Sequence, residues 1–230
     1  MHRSGSFDPH RCDSSHWGSR AGGSSESVHP CCTRDAPARG YHRWVAPRIT
    51  LIEPADAPIL ARPMYAASGE TSPITRALAQ VPELLAPTMG FLGPVLGPSS
   101  IDLRSKELVI LRVSAVAECA YCTGAHSVAA ADAGVTDSER QALVGGVPLE
   151  TAFDGDDLRL LRLCDAIAAG GSVEGRLVSA VRRDRGDHGV VELVLLACAT
   201  LMLNRLCTTL ELPLTSGTAE RLMTLMAGGR

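Results

Sequence analysis

The chain has 230 residues, enough for one domain with a sizeable core or for two small ones. Apolar residues make up 45% of it and aromatics 3%, so the core must be aliphatic, and its Ala and Leu favour helices. A formal net charge of -3, with no basic stripe interleaved with aromatics, gives no support to nucleic-acid binding.

Residues 1–45 stand apart. They are rich in Ser, Gly, Arg and His, lack apolar periodicity, and hold five of the seven histidines, both tryptophans and Cys12, Cys31 and Cys32. Such a segment buries too little apolar surface to offset its ordering entropy, so a disordered tail is expected. A metal-binding arm at "CDSSH" or "HPCC" fits no regular zinc-finger spacing. Translation starting later, at Val45 or Met64, is the other alternative.

From about Ala46 to residue 230 the pattern is that of one folded domain. "PRITLIEPADAPILARP" reads as an extended, proline-punctuated lead-in. A short helix or two, broken by Pro82 and Pro87, is expected between Ser72 and Leu96. Ser99 and Asp102 resemble a capping pair for a helix running to about Ala117. Thr136 and Glu139 form a capping box for a short helix ending near Gly145. Asp154 caps a helix stopped by Gly170 and Gly171, and Asp187 opens a long apolar helix through Leu210. No segment alternates with a period of two. The class is all-α.

One internal echo stands out. "ELVILRVSAVAECAYC" from Glu107 aligns without gaps on "ELVLLACATLMLNRLC" from Glu192. Two buried helices of like composition would give the same echo as two related helical hairpins.

No uninterrupted apolar run reaches the roughly 18 residues a spanning helix needs, and Val190 to Leu203 has the length of a buried helix. The N-terminus has no apolar region of the secretory kind. The expectation is therefore a cytoplasmic protein without membrane contact, whose thiols stay reduced unless catalysis oxidises them. Cys164, Cys198 and Cys207 lie on apolar helical patterns and read as core.

"ECAYCTGAH", Glu118 to His126, is different, being the least apolar stretch of a greasy segment. A C-x-x-C pair closes a local disulfide readily, and a first cysteine at a helix N-terminus is acidified by unpaired N–H groups. Cys122 and His126, four apart, share a helix face, with Cys119 a turn further back. A redox pair, buried core thiols and a three-ligand zinc site at Cys119, Cys122 and His126 all remain open on spacing alone.

"KELVILRVSAVAECAYCTGAHSVAAADAGVTDSE", Lys106 to Glu139, resembles the carboxymuconolactone decarboxylase family, and within it the AhpD-like alkylhydroperoxidase branch. The resemblance rests on Glu107, Cys119, Cys122 and His126 and extends more weakly over about residues 46 to 215. It implies an AhpD-like helical bundle, a homo-oligomer (trimer or hexamer), and reduction of peroxides or disulfides. In that reading Glu107 orients His126, His126 helps deprotonate a cysteine, and Cys119 and Cys122 cycle through a disulfide with no other cofactor. The electrons would come from a dithiol or lipoyl-bearing reductant.

Glu107 and His126 can meet only if the first helix ends near Glu118. Twelve residues of unbroken helix would turn Glu107 a third of a circle from the cysteine face. Tyr121 stands where well-known peroxidases of this branch carry a histidine, and a phenol with a pKa of about 10 cannot shuttle protons near neutrality. Two other functions remain in view. A lactone decarboxylase would need basic residues for a substrate carboxylate, with Arg112 and Arg205 as candidates, and a redox-sensing oligomer would need no turnover at all.

Overall fold

The computed structural model describes residues 46–228. The segment expected to be disordered, with Cys12, Cys31 and Cys32, lies outside the described residues. Among the described residues the only regular elements are eight α-helices and three short 3-10 turns, so the chain is all-α.

After the lead-in, α1 (Pro73–Leu78) is capped by Ser72, whose hydroxyl accepts from the Thr75 N–H at 3.1 Å. Then α2 (Pro82–Leu96) departs from expectation. Pro82 opens it, where a missing N–H costs nothing, and Pro87 and Pro94 lie within it rather than breaking it. Both prolines, like Glu83 and Gly90 four residues before them, are exposed. The carbonyls left without a helical partner therefore lie on the helix face open to water. Lys106, 1% exposed, closes this helix by donating to the carbonyls of Val95 (2.8 Å) and Gly97.

The next helix, α3 (Leu103–Val116), is capped by Asp102 alone, which accepts from the Ser105 N–H at 2.9 Å. Ser99 instead serves a turn, accepting from Ile101 N–H at 3.2 Å. It is followed by α4 (Ala120–Asp132) and α5 (Asp137–Leu143), and the Thr136–Glu139 capping box is complete. Asp154 is the N-cap residue of α6 (Gly155–Ala169) without a side-chain bond to it, and Gly170 ends that helix at φ 79°.

A helical stretch that begins at Gly175 forms α7 (Gly175–Leu210), and its long apolar part opens at Asp187 as expected. Its φ of 67° and ψ of -178° at Gly186 make two helices of it, in a backbone region open essentially to glycine. By length and composition this is the one element among the described residues apolar enough to cross a membrane. Glu192 and Arg205 interrupt the apolar run, which is why counting uninterrupted residues passes it over. Its Leu193, Leu196, Ala197 and Thr200 are buried in the protein, as a core helix requires. The last helix, α8 (Ser216–Gly228), was not expected and packs on α4.

The main core lies where α3, α6 and α7 meet, through Leu108, Leu111, Leu160, Leu161, Leu163, Leu193 and Leu196. Cys164 belongs to it. Cys198 does not: it is exposed, on the face of α7 that also carries Val191, Leu195 and Met202.

Candidate active site

The site depends on how α3 ends. The Glu118 N–H donates to Ala115 O (3.0 Å) and the Cys119 N–H to Ser114 O (3.0 Å), while Glu118 takes the left-handed φ of 55°. This is a Schellman ending with glutamate where glycine is usual. Glu118→Gly should raise stability by about 1 kcal/mol by removing the left-handed penalty, read as a higher urea midpoint; a lower midpoint would contradict this account of the turn.

The turn folds α4 back along α3, and the consequence is the pairing expected from the sequence. His126 Nδ1 lies 2.8 Å from Glu107 Oε2, although the residues are nineteen apart in the chain. With Glu107 as carboxylate, Nδ1 carries the donated proton and Nε2 is left free to accept one. Glu107 is buried and His126 is part-exposed, so the pair reaches from the interior towards the surface.

The cysteines sit at the start of the same helix. Cys119 is the N-cap of α4, and its Sγ accepts from the Cys122 N–H at 3.4 Å. Both are buried, at 1% and 4% exposure. The neighbouring Cys122 and Cys207 thiols, with the Cys122 N–H and the Thr208 hydroxyl, hold the Cys119 thiol well below the usual thiol range and outweigh burial. The Cys122 thiol is pushed up, first by Cys119, then by Cys207 and by burial. One negative charge is thus favoured at Cys119, with Cys122 as a protonated donor. The partner of His126 is Glu107 rather than a sulfur. Among the described residues no group of three His, Cys, Asp or Glu is gathered to hold a metal ion.

Cys207 is the residue that sequence reasoning undervalued. It is core, as expected, at 1% exposure, but the cluster it belongs to contains Cys119 and Cys122. The internal echo carried the signal, because it sets Cys207 against Cys122. The echo does not extend to the fold: 107–122 spans two helices, whereas 192–207 lies within one.

Tyr121 packs against the same cluster. Burial, reinforced by the charge of the neighbouring thiols, raises its pKa further, so it stays a neutral phenol. Leu51, Ala77 and Leu212 close the cluster. The lead-in is pinned over it by Arg48, whose N–H donates to Leu210 O (2.9 Å) and whose guanidinium donates to Thr209 O (3.1 Å) and Glu211 (2.7 Å). The Thr209 and Leu210 carbonyls are the last of α7, where a cation is favoured.

Of the two arginines considered for a substrate carboxylate, Arg112 is taken up by Asp165 (2.5 and 3.0 Å) and by Leu143 O (3.1 Å). Arg205 is exposed.

The comparisons with known proteins agree with this architecture. The model of the carboxymuconolactone decarboxylase family matches residues 82–149, a segment that contains Glu107, Cys119, Cys122 and His126. A similar solved structure is an alkylhydroperoxidase AhpD core, an uncharacterized peroxidase-related protein from Ralstonia eutropha JMP134. It has a TM-score of 0.67 and 14% identity, covering 75% of this chain and 94% of that one. A peroxidase-related protein from Silicibacter sp. TM1040 has a TM-score of 0.59 and 18% identity, covering 65% of this chain and 80% of that one. The debrominase Bmp8 in its apo form has a TM-score of 0.62 and 16% identity, covering 76% of this chain and 96% of that one. At such identities the likeness is one of fold. No curated protein matches the sequence significantly. Residues 82–149 therefore carry a match to the carboxymuconolactone decarboxylase family, set within a helical domain of AhpD-like fold.

Proposed function

We propose that the chain is a thiol-dependent peroxidase or disulfide reductase working through Cys119 and Cys122, without metal or organic cofactor. The observation that carries this reading is the organisation of α4: a thiol favoured as thiolate caps its N-terminus, and a carboxylate-held histidine lies two turns on.

In this mechanism the Cys119 thiolate attacks the distal oxygen of a hydroperoxide. The O–O bond breaks, the alkoxide leaves and takes a proton as alcohol, and Cys119 becomes a sulfenic acid. The Cys122 sulfur then attacks the Cys119 sulfur. His126 Nε2 takes the Cys122 proton and delivers it to the departing oxygen, so water leaves and a disulfide remains. A dithiol or lipoyl-bearing reductant returns the pair to thiols, with two electrons and two protons. The exposed stripe of Val191, Leu195 and Met202 on α7 supports assembly with further copies of this chain, which sedimentation would read as a multiple of 24.2 kDa.

The direct test is turnover of an organic hydroperoxide with dihydrolipoamide as electron donor. Sustained peroxide loss supports the reading. Carbon dioxide release from a carboxymuconolactone-type acid, without peroxide loss, would replace it with the decarboxylase reading. One observation favours a non-catalytic redox switch, namely the burial of both thiols. A disulfide that forms once and is never turned over would establish it.

A further inference from the structure

We infer that Cys207 is a third working thiol, which takes over the disulfide by exchange with Cys122 and so returns Cys119 to the free thiolate; this rests on the redox reading of Cys119 and Cys122.

Three cysteines from two separate segments meet in one small apolar cluster. Cys119 and Cys122 come from the start of α4, and Cys207 comes from the last turn of α7, eighty-five residues after Cys122. Their exposures are 1%, 4% and 1%, so water competes little for any of the sulfurs. The rest of the cluster is aliphatic apart from Tyr121, with Leu51, Ala77 and Leu212 buried and Ile49, Ile74 and Leu210 partly so. The carbonyl of Cys207 is fixed by the Leu212 N–H at 3.0 Å, in the turn that ends α7. Its side chain is therefore held on a rigid element beside the pair.

The chemistry has a direction. When a thiolate attacks a disulfide, the sulfur that leaves more readily is the one that better bears negative charge. Cys119, at the N-terminus of α4 and bonded by the Cys122 N–H, is that sulfur. Attack by Cys207 on the Cys122 sulfur forms a Cys122–Cys207 bond and breaks Cys119–Cys122. The electron pair of the broken bond stays on Cys119, and the proton of Cys207 is released. Nothing is oxidised or reduced overall. The hydrogen bond to Cys119, with burial and the charge on Cys119, outweighs the opposite pull of Cys122 and raises the Cys207 thiol to about 12, so Cys207 stays protonated while Cys119 is a thiolate. Oxidation of Cys119 removes that charge and lets the exchange begin.

The test uses the full chain and diamide, which oxidises two adjacent thiols to a disulfide by taking up both hydrogens and needs no peroxidase activity. Wild type and Cys119→Ser are treated, quenched in acid and mapped with trypsin without reduction. In Cys119→Ser the expected product is a bond between the peptides Val113–Arg140 and Leu206–Arg221, joining Cys122 to Cys207. In wild type a mixture of that bond and Cys119–Cys122 is expected. Cys207→Ala, with a circular-dichroism spectrum like that of wild type, should leave only Cys119–Cys122. A free Cys207 thiol in both wild type and Cys119→Ser would overturn the inference. A Cys122–Cys207 bond with diamide, but no thiol oxidised by an organic hydroperoxide, would leave the three-thiol site standing and remove the peroxidase reading. Conversely, a Cys119–Cys122 bond formed by hydroperoxide beside a permanently free Cys207 would keep that reading and remove the third thiol.

Discussion

Cys119→Ser should lower hydroperoxide turnover by a factor on the order of 10³ or more, as loss of a nucleophile does, and should abolish the first equivalent of peroxide consumed without donor. Cys122→Ser should not be its mirror image. It also loses turnover, but it still consumes about one equivalent, because the attacking sulfur, its N–H donor and the Cys207 and Thr208 groups are intact and a serine hydroxyl replaces the Cys122 thiol as donor. Serine keeps the size of cysteine and both residues are nearly enclosed, so the helical spectrum of each variant should match the parent. Stopped-flow measurement of the first equivalent separates the two. If Cys122→Ser lost the first equivalent and Cys119→Ser kept it, the order of attack would be reversed, and placement at the N-cap of α4 would not be what selects the nucleophile.

Glu107→Gln should lower turnover roughly 10²-fold or more, within the range of general acid–base catalysis. The glutamine side chain would keep the shape and a hydrogen-bonding oxygen, so the buried α3 position is still filled. It would lose the charge that fixes His126 with Nε2 free and steadies the imidazolium formed in mid-transfer. The affected step is disulfide closure, so a sulfenic acid on Cys119 should accumulate and be trapped by dimedone. That signature distinguishes a positioning residue from one that only packs. His126→Ala should give a similar loss, and the double variant should lose little more than either alone, because the two act as one unit. Unchanged turnover in Glu107→Gln, with no trapped sulfenic acid, would reduce the pair to a structural contact.

The extent to which the sequence foretold the structure follows from how local each determinant is. Thr136 and Glu139 satisfy each other's backbone groups within four residues, so their capping box could be read directly. The break after α3 had no glycine to announce it. The helical pattern ended near Ala117, the need for Glu107 to reach His126 gave that end a reason, and the chain makes the break with a left-handed Glu118. Pro87 misled because a proline weakens a helix without always ending it: here the Glu83 carbonyl that it leaves without a partner lies on an exposed face where water serves it, and exposure is a tertiary property. The apolar pattern placed Cys198 and Cys207 alike, yet one faces outward and the other lies among sulfurs. Helical periodicity reports that a face is apolar, not which neighbour will cover it. The same limit applies to Arg112, whose basic side chain looked available until Asp165 was seen beside it.

The measurement that bears most directly on the central claim is intact-mass and peptide analysis of the reduced protein before and after one equivalent of an organic hydroperoxide. Rapid acid quenching should show the loss of two hydrogens and a Cys119–Cys122 disulfide, with one equivalent of alcohol formed. Cys119 and Cys122 both found as free thiols, with the hydroperoxide unconsumed, would contradict the account.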